Sequence, residues 1–182
     1  PHSTQVAGYG AIVGGDDRYY NNVFVGNNSD DLVGTAYYNG SPVSFEEYLE
    51  KTHKDFNDLE LFPEVEQPVY INNNMYLNRA LPFDKEENKV VLDEFNPEVQ
   101  IIEDGDQVFL SCNLPKEWAD LSTQILDSKT LKRVRMAGLD FENPDGSEVT
   151  LDVDYFNNKR AKESAIGPIA QLVAGPNRIK VW

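Results

Sequence analysis

Five consecutive residues carry the sharpest chemistry in this sequence: Asp16-Asp17-Arg18-Tyr19-Tyr20, entered through Gly14-Gly15. Two glycines let the backbone turn tightly. Two carboxylates follow, and the guanidinium beside them can hold one ionised while the other keeps a higher pKa. Hydrolysis of a glycosidic bond needs two carboxyl groups in different environments, roughly 5 to 10 Å apart across the scissile bond. Neighbouring strand positions point to opposite faces, so Asp16 and Asp17 are candidates for one member of such a pair rather than for both. A turn whose aspartates cap backbone amides or pair with Arg18 accounts for the same residues without catalysis. Arg18, Tyr19 and Tyr20 are the adjoining candidates for substrate contact. Pyranose rings stack on aromatic faces, and Tyr9, Tyr19, Tyr20, Tyr37 and Tyr38 are concentrated in the first forty residues. Core packing is the ordinary fate of such a set. His2 precedes the Asp-Asp turn by one short strand and is a further candidate for a cleft position.

Metal chemistry has less support. The two histidines, His2 and His53, do not stand at metal-ligand spacing, and Cys112 is the single cysteine, set in the apolar run Val108-Phe109-Leu110-Ser111-Cys112. That leaves no disulfide framework and no thiolate site for zinc. Asp30-Asp31, Asp104-Gly105-Asp106 and Asp152-Val153-Asp154 are hard-oxygen clusters compatible with a surface Ca2+, although none has EF-hand spacing. No other cofactor is expected.

The elements that position these residues come from pattern. Tyr20-Asn21-Asn22-Val23-Phe24-Val25-Gly26 is echoed by Asn72-Asn73-Asn74-Met75-Tyr76-Leu77-Asn78, an offset of 52 residues from Asn21 to Asn73. An asparagine pair leading into a short apolar strand is a corner device of stacked strands, where side-chain amides of successive turns satisfy one another. The intervening stretch holds a capping box, Ser44 with Glu47, a hydrophobic staple between Val43 and Tyr48, and Phe45, Tyr48, Leu49, Thr52 and Phe56 at helical spacing. These predict an inserted helix at 45–56. From residue 96 the texture changes to short alternating segments and tight turns, about six strands in the manner of a β-sandwich. Glu103-Asp104-Gly105-Asp106 and Asn143-Pro144-Asp145-Gly146 are the turns, and Val149, Leu151 and Val153 alternate with acidic or polar neighbours. The charged run Asp84–Lys89 and Asn96-Pro97 place a boundary near 95. The predicted organisation is therefore all-β: residues 1–95 as terminal coils of a parallel β-helix with an inserted helix, then 96–182 as a C-terminal β-sandwich.

Composition limits the partners. Sixteen Lys and Arg against thirty-one Asp and Glu give a formal charge of −15, a field that repels phosphate backbones and anionic headgroups. Nucleic acid is not an expected partner. No apolar run reaches the ~18 residues of a membrane span. The chain begins Pro1-His2-Ser3 without an initiator Met or signal-like segment, from which the C-terminal piece of a longer polypeptide is expected.

Three blocks resemble a family: Pro1-His2-Ser3-Thr4, the Gly14–Val25 stretch and Asn73–Asn78. The tail blocks Asn143–Gly146, Asp154-Tyr155-Phe156, Arg160, Gly167-Pro168 and Ile179–Trp182 extend the likeness. The family is that of bacterial right-handed parallel β-helix proteins related to polysaccharide-degrading hydrolases, β-helix xylosidases among them. The resemblance spans nearly the whole chain as scattered short blocks. It implies a secreted or periplasmic glycoside hydrolase acting on plant or host glycans, whose upstream coils stack on these and whose active site lies along the β-helix. A complete catalytic pair does not map onto these positions, so the fragment alone is expected to be inactive. The competing expectation is a non-catalytic module that binds oligo- or polysaccharide or caps the solenoid.

Overall fold

The asparagine echo is a hydrogen-bonded register. In the computed structural model, which describes residues 16–27, 32–36, 69–119, 122–134 and 138–182, β1 (Asp17–Tyr20) pairs in parallel with β3 (Val69–Asn72). Likewise β2 (Val23–Val25) pairs with β4 (Met75–Leu77). Partners such as Asp17↔Val69 and Val25↔Leu77 stand 52 residues apart. A third layer then follows: β5 (Val90–Leu92) continues the sheet from β4, Met75 against Val90. Isolated parallel bridges, Gly34↔Leu81 and Asn72↔Glu87, extend the stacking beyond the named strands.

The corners explain why asparagine recurs. Asn21, Asn73 and Asn88 have φ of 60°, 63° and 52°, the left-handed region that asparagine tolerates better than most residues with a Cβ. Each sits just before the strand that follows. The amides of the first two corners then join their layers: Asn73 Nδ2 donates to Asn21 Oδ1 at 3.0 Å. Asn74 Oδ1 accepts from the Asn22 backbone N–H at 2.8 Å and from Asn22 Nδ2 at 3.0 Å. Asn74 Nδ2 passes the chain on, to Tyr19 O at 2.8 Å and Glu86 Oε1 at 2.7 Å. Layers this close leave no room for a methyl at Gly26, where a Cβ would stand 2.1 Å from Asn78 O.

Packing follows the layers. The Phe24 and Tyr76 rings, register partners, stack at 5.1 Å and 12°. Val69, Ile71 and Phe83 form a small core with Tyr19 packed on it. The larger core joins Met75 and Leu77 to Cys112, Leu114, Trp118, Ile166, Ile169 and Leu172, so buried apolar surface is continuous across residue 95. Burial of this kind contributes roughly 1.5–3 kcal/mol for each large side chain. Trp118 Nε1, buried with the ring, donates to Leu172 O at 3.2 Å.

After residue 96 the pairing is antiparallel. Strands β6 (Gln100–Asp104) and β7 (Gln107–Leu114) form a hairpin through Gly105, whose φ is 62°. Strand β10 (Gly175–Lys180) flanks β7 on the other side. Strands β8 (Ser122–Gln124) and β9 (Glu163–Ala165) make a separate two-stranded sheet. Helix α1 (Ser128–Leu131) is a single turn capped by Asp127, which accepts from Thr130 N at 2.8 Å. The Asn143–Gly146 turn forms as its sequence predicts, with Gly146 N donating to Asn143 O at 2.8 Å. The described chain is thus all-β in character, its sheets open and none closed into a barrel.

The alternating segment 149–153 departs from its pattern. It makes only the bridges Asp127↔Thr150 and Val153↔Lys159, leaving Leu151 49% and Val153 43% exposed. The cause lies next door: Asp154 is buried at 6% exposure and accepts from Phe156 N, Asn158 N and Ala170 N. The chain therefore turns back on itself at Asp154 and the acidic edge, not the apolar one, faces inward. The expected helix at 45–56 lies outside the described residues. None of the described helices is long and apolar enough to cross a membrane.

Candidate functional site

Strand β1 sorts its residues by alternation. Arg18 is the best anchored of the candidates. Nε donates to Leu131 O at 2.7 Å, Nη2 to Arg133 O at 2.8 Å, and Nη1 to Asp16 Oδ1 at 2.8 Å and to Asp16 O. Its plane lies between the Tyr70 ring, 4.7 Å to the centroid, and the Phe141 ring, 4.8 Å. The side chain is 10% exposed. Leu131 O is a carbonyl of the last α1 residue, the kind of group a helix end leaves without an intrahelical donor. Arg18 thus ties the first layer to the segment around α1, a structural role beside the substrate contact expected from sequence.

Asp16 enters the strand in the left-handed region, φ 61°, held by the Arg18 ion pair. This is the turn-and-pair geometry that the sequence leaves open beside catalysis. Asp17 stands half-buried on β1 opposite Val69. Tyr19 packs against the Val69, Ile71 and Phe83 core, its ring 6.2 Å from that of Phe24. Tyr20 takes the other side and lines a groove. Burial pushes its phenol up, Arg18 pulls against that, and Tyr70 adds to the rise. His2, Tyr9, Tyr37 and Tyr38 lie outside the described residues.

The groove has a volume of ≈ 540 Å³, within the range of about 300–1,000 Å³ typical of small-ligand sites. Three segments line it: Tyr20–Val23 at the asparagine corner, Thr123–Leu126, and a stretch from Leu151 to Pro168. Leu151, Val153 and Tyr155 form one apolar side at alternate positions. Arg160 braces the wall, Nη2 donating to Gly167 O at 2.5 Å, while Gly167 N donates to Asn21 O at 2.9 Å and joins wall to corner. Sequence reasoning assigned the 149–153 alternation to a strand face. The signal for the groove was the same alternation, with Asp154-Tyr155-Phe156 and Arg160 immediately after it.

A second polar centre lies between the layers. Glu86, 5% exposed, accepts from Asn74 N at 3.0 Å, Asn74 Nδ2 at 2.7 Å and the Tyr76 hydroxyl at 2.5 Å. Thr35 Oγ1 meets the same hydroxyl at 2.7 Å. Burial pushes the Tyr76 phenol far above its usual value, and the hydrogen bond to Glu86 adds to the rise. With three donors and no cation among these contacts, the carboxylate is held as a structural acceptor.

Three of the aspartates considered for Ca2+ have partners within the protein. Asp104 pairs with Arg178 at 3.5 Å, and Asp152 with Lys159. For Asp154, burial would raise the carboxyl, but the backbone N–H groups of Asn158, Ala170 and Phe156 outweigh it and hold the group below the usual range. Among the described residues no group of three or more His, Cys, Asp or Glu side chains is arranged to hold a metal ion. Asp30 and Asp31 lie outside them.

No protein-family model matches the chain, and no curated protein matches it. A solved structure does: XylC in complex with xylose superposes with a TM-score of 0.84 over 92% of this chain, at 49% sequence identity. The match covers 26% of that chain, so the present sequence spans about a quarter of XylC's length.

Proposed function

We propose that this chain is the C-terminal part of a secreted, polysaccharide-active protein, a β-helix xylosidase-like glycoside hydrolase acting on plant or host glycans. The observation that carries this reading is the 49% identity sustained over 92% of the chain to a protein solved with xylose. In this reading β1 to β5 are the last coils of a right-handed parallel β-helix and residues 96–182 a β-sandwich. Three parallel layers, the first two joined through asparagine corners, support the first half. Strands β1 and β2 are sheet edges among the described residues, and unpaired edges call for cover; upstream coils of the same polypeptide supply it. One of Asp16 and Asp17 serves at the rim of the cleft, and its carboxyl partner belongs to the upstream coils. Protein as long as the parent polypeptide, with Asp16→Asn and Asp17→Asn variants, should be assayed on aryl xylosides and arabinosides. A catalytic carboxylate loses at least about 10²–10⁴-fold in kcat/KM on amidation; unchanged turnover in both variants removes the turn from catalysis.

A second reading is favoured by the continuous core. Trp118, Ile166, Ile169 and Leu172 bury against Met75 and Leu77, so the C-terminal region covers a face of the layered sheet and serves as a non-catalytic cap. This reading predicts that no variant at Asp16 or Asp17 changes turnover while truncation at residue 96 makes the remaining layers aggregate.

A further inference from the structure

We propose that the groove between the asparagine corner and the 151–168 segment is a non-catalytic subsite for a neutral oligosaccharide, separate from the bond-cleaving centre. The proposal rests on the carbohydrate reading above for its ligand class and on the groove itself for its location.

Exposure locates the contact surface. Leu151, Val153 and Tyr155 are 49%, 43% and 59% exposed and fall at alternate positions along one side of the groove. Alternation of this sort ordinarily marks a face that packs against another element, yet this one faces open space. Tyr155 is braced edge-on by Phe156, ring centroids 5.1 Å apart at 82°, and its hydroxyl donates to Val181 O at 3.4 Å. A braced, half-exposed ring beside an apolar strip suits the C–H face of a pyranose. Around it stand polar groups rather than ions: Asn21, Gln124 and the Tyr20 hydroxyl can both donate to and accept from sugar hydroxyls, and Asn22, whose amide hydrogens go to Tyr20 O and Asn74 Oδ1, can accept.

Charge decides both class and role. Among the described residues lining the groove none is Asp or Glu, and Arg160 is the one cation. Glycosidic cleavage needs two carboxyl groups at the bond, so this groove holds a chain without cutting it. The formal charge of −15 disfavours uronate-rich or sulfated polymers, which leaves neutral glycans. A xylan segment is the first candidate, given a relative solved with xylose.

Isothermal titration of the 182-residue chain with xylohexaose, cellohexaose and hexagalacturonate tests this. Saturable binding of xylohexaose, weakened at least tenfold by Tyr155→Ala and by Leu151→Ser, is the expected result. Tyr155→Phe keeps the ring and should stay within about threefold of the parent. Hexagalacturonate should not bind. Both Leu151 and Tyr155 are well exposed, and circular dichroism melts check that each variant remains folded. Absence of saturable xylohexaose binding at millimolar concentration, or equal binding by folded Tyr155→Ala, overturns the proposal. Preferred binding of hexagalacturonate also overturns it. The two readings separate cleanly. Xylohexaose binding that depends on Tyr155, with no xyloside hydrolysis by the parent polypeptide, keeps the groove and removes the enzyme. Hydrolysis without groove binding does the reverse.

Discussion

Replacing Arg18 by alanine removes a tie rather than a surface charge. The guanidinium donates to Leu131 O and Arg133 O and lies between the rings of Tyr70 and Phe141. The part-buried bond to Leu131 O is a charge-assisted one, about 1.5 kcal/mol, and the more exposed bond to Arg133 O about 0.5 kcal/mol, since water can replace it. Two cation–π contacts at a mostly buried site contribute roughly 0.5–1 kcal/mol each. The Asp16 pair adds little beyond this, because Asp16 can be solvated once Arg18 is gone. The expected loss is therefore about 3 kcal/mol, equivalent to a fall of roughly 6–12 °C in Tm for a chain of this size. Arg18→Lys keeps the charge but loses the planar fork and much of the stacking, and should recover less than half of the loss. Thermal and urea unfolding followed by circular dichroism measure both. A change below about 0.5 kcal/mol for Arg18→Ala, with saccharide binding lost instead, would refute the structural role and restore Arg18 to the ligand.

Asn74→Ala strands the Asn22 backbone N–H, removes the donor to Tyr19 O and takes one of the three donors from buried Glu86, the Asn74 backbone N–H being kept; a loss of about 3 kcal/mol in urea unfolding is expected, and a change under 1 kcal/mol would show the amide column to be incidental. Tyr76 and Tyr20 both have raised phenol pKa values. A raised folded-state value gives stability that is intact below the unfolded pKa near 10 and drains away as pH climbs through the folded value. Stability should therefore begin to fall above about pH 10. Absorbance at the phenolate band should show the Tyr76 ring ionising only as the chain unfolds and Tyr20 later than an exposed phenol, with Tyr76→Phe removing the step tied to unfolding; a single normal titration near pH 10 would contradict the burial of Tyr76.

What was legible in the sequence was whatever repeats or turns locally. The Asn21-Asn22 and Asn73-Asn74 pairs, each followed by an apolar-aromatic-apolar triplet, gave away a parallel register, because a corner that needs left-handed φ admits few residues. The third layer carries no such signal: its corner, Asn88, is followed by Lys89, with no second asparagine. The charged run around it looked like a linker. Composition cannot say which carboxylate will find donors, and Glu86, within that run, is buried. The Gly105 hairpin was legible for the reason turns usually are, a positive φ at a glycine. The groove was not, since the alternation of 149–153 is silent about which edge turns inward until the long-range bonds of Asp154 to Ala170 are formed.

Glu86 also settles where the amide column stops. An asparagine side chain both gives and takes a hydrogen bond, so each one presents the next layer with the same invitation it received, and a column of them is open-ended in principle. A carboxylate can only take. With Asn74 on one oxygen and Tyr76 on the other, Glu86 hands nothing onward, and the column ends as a polymer does when a monofunctional unit is added. Exchanging it for glutamine would return a donor to that terminus, in a buried place where no further layer among the described residues stands ready to accept it.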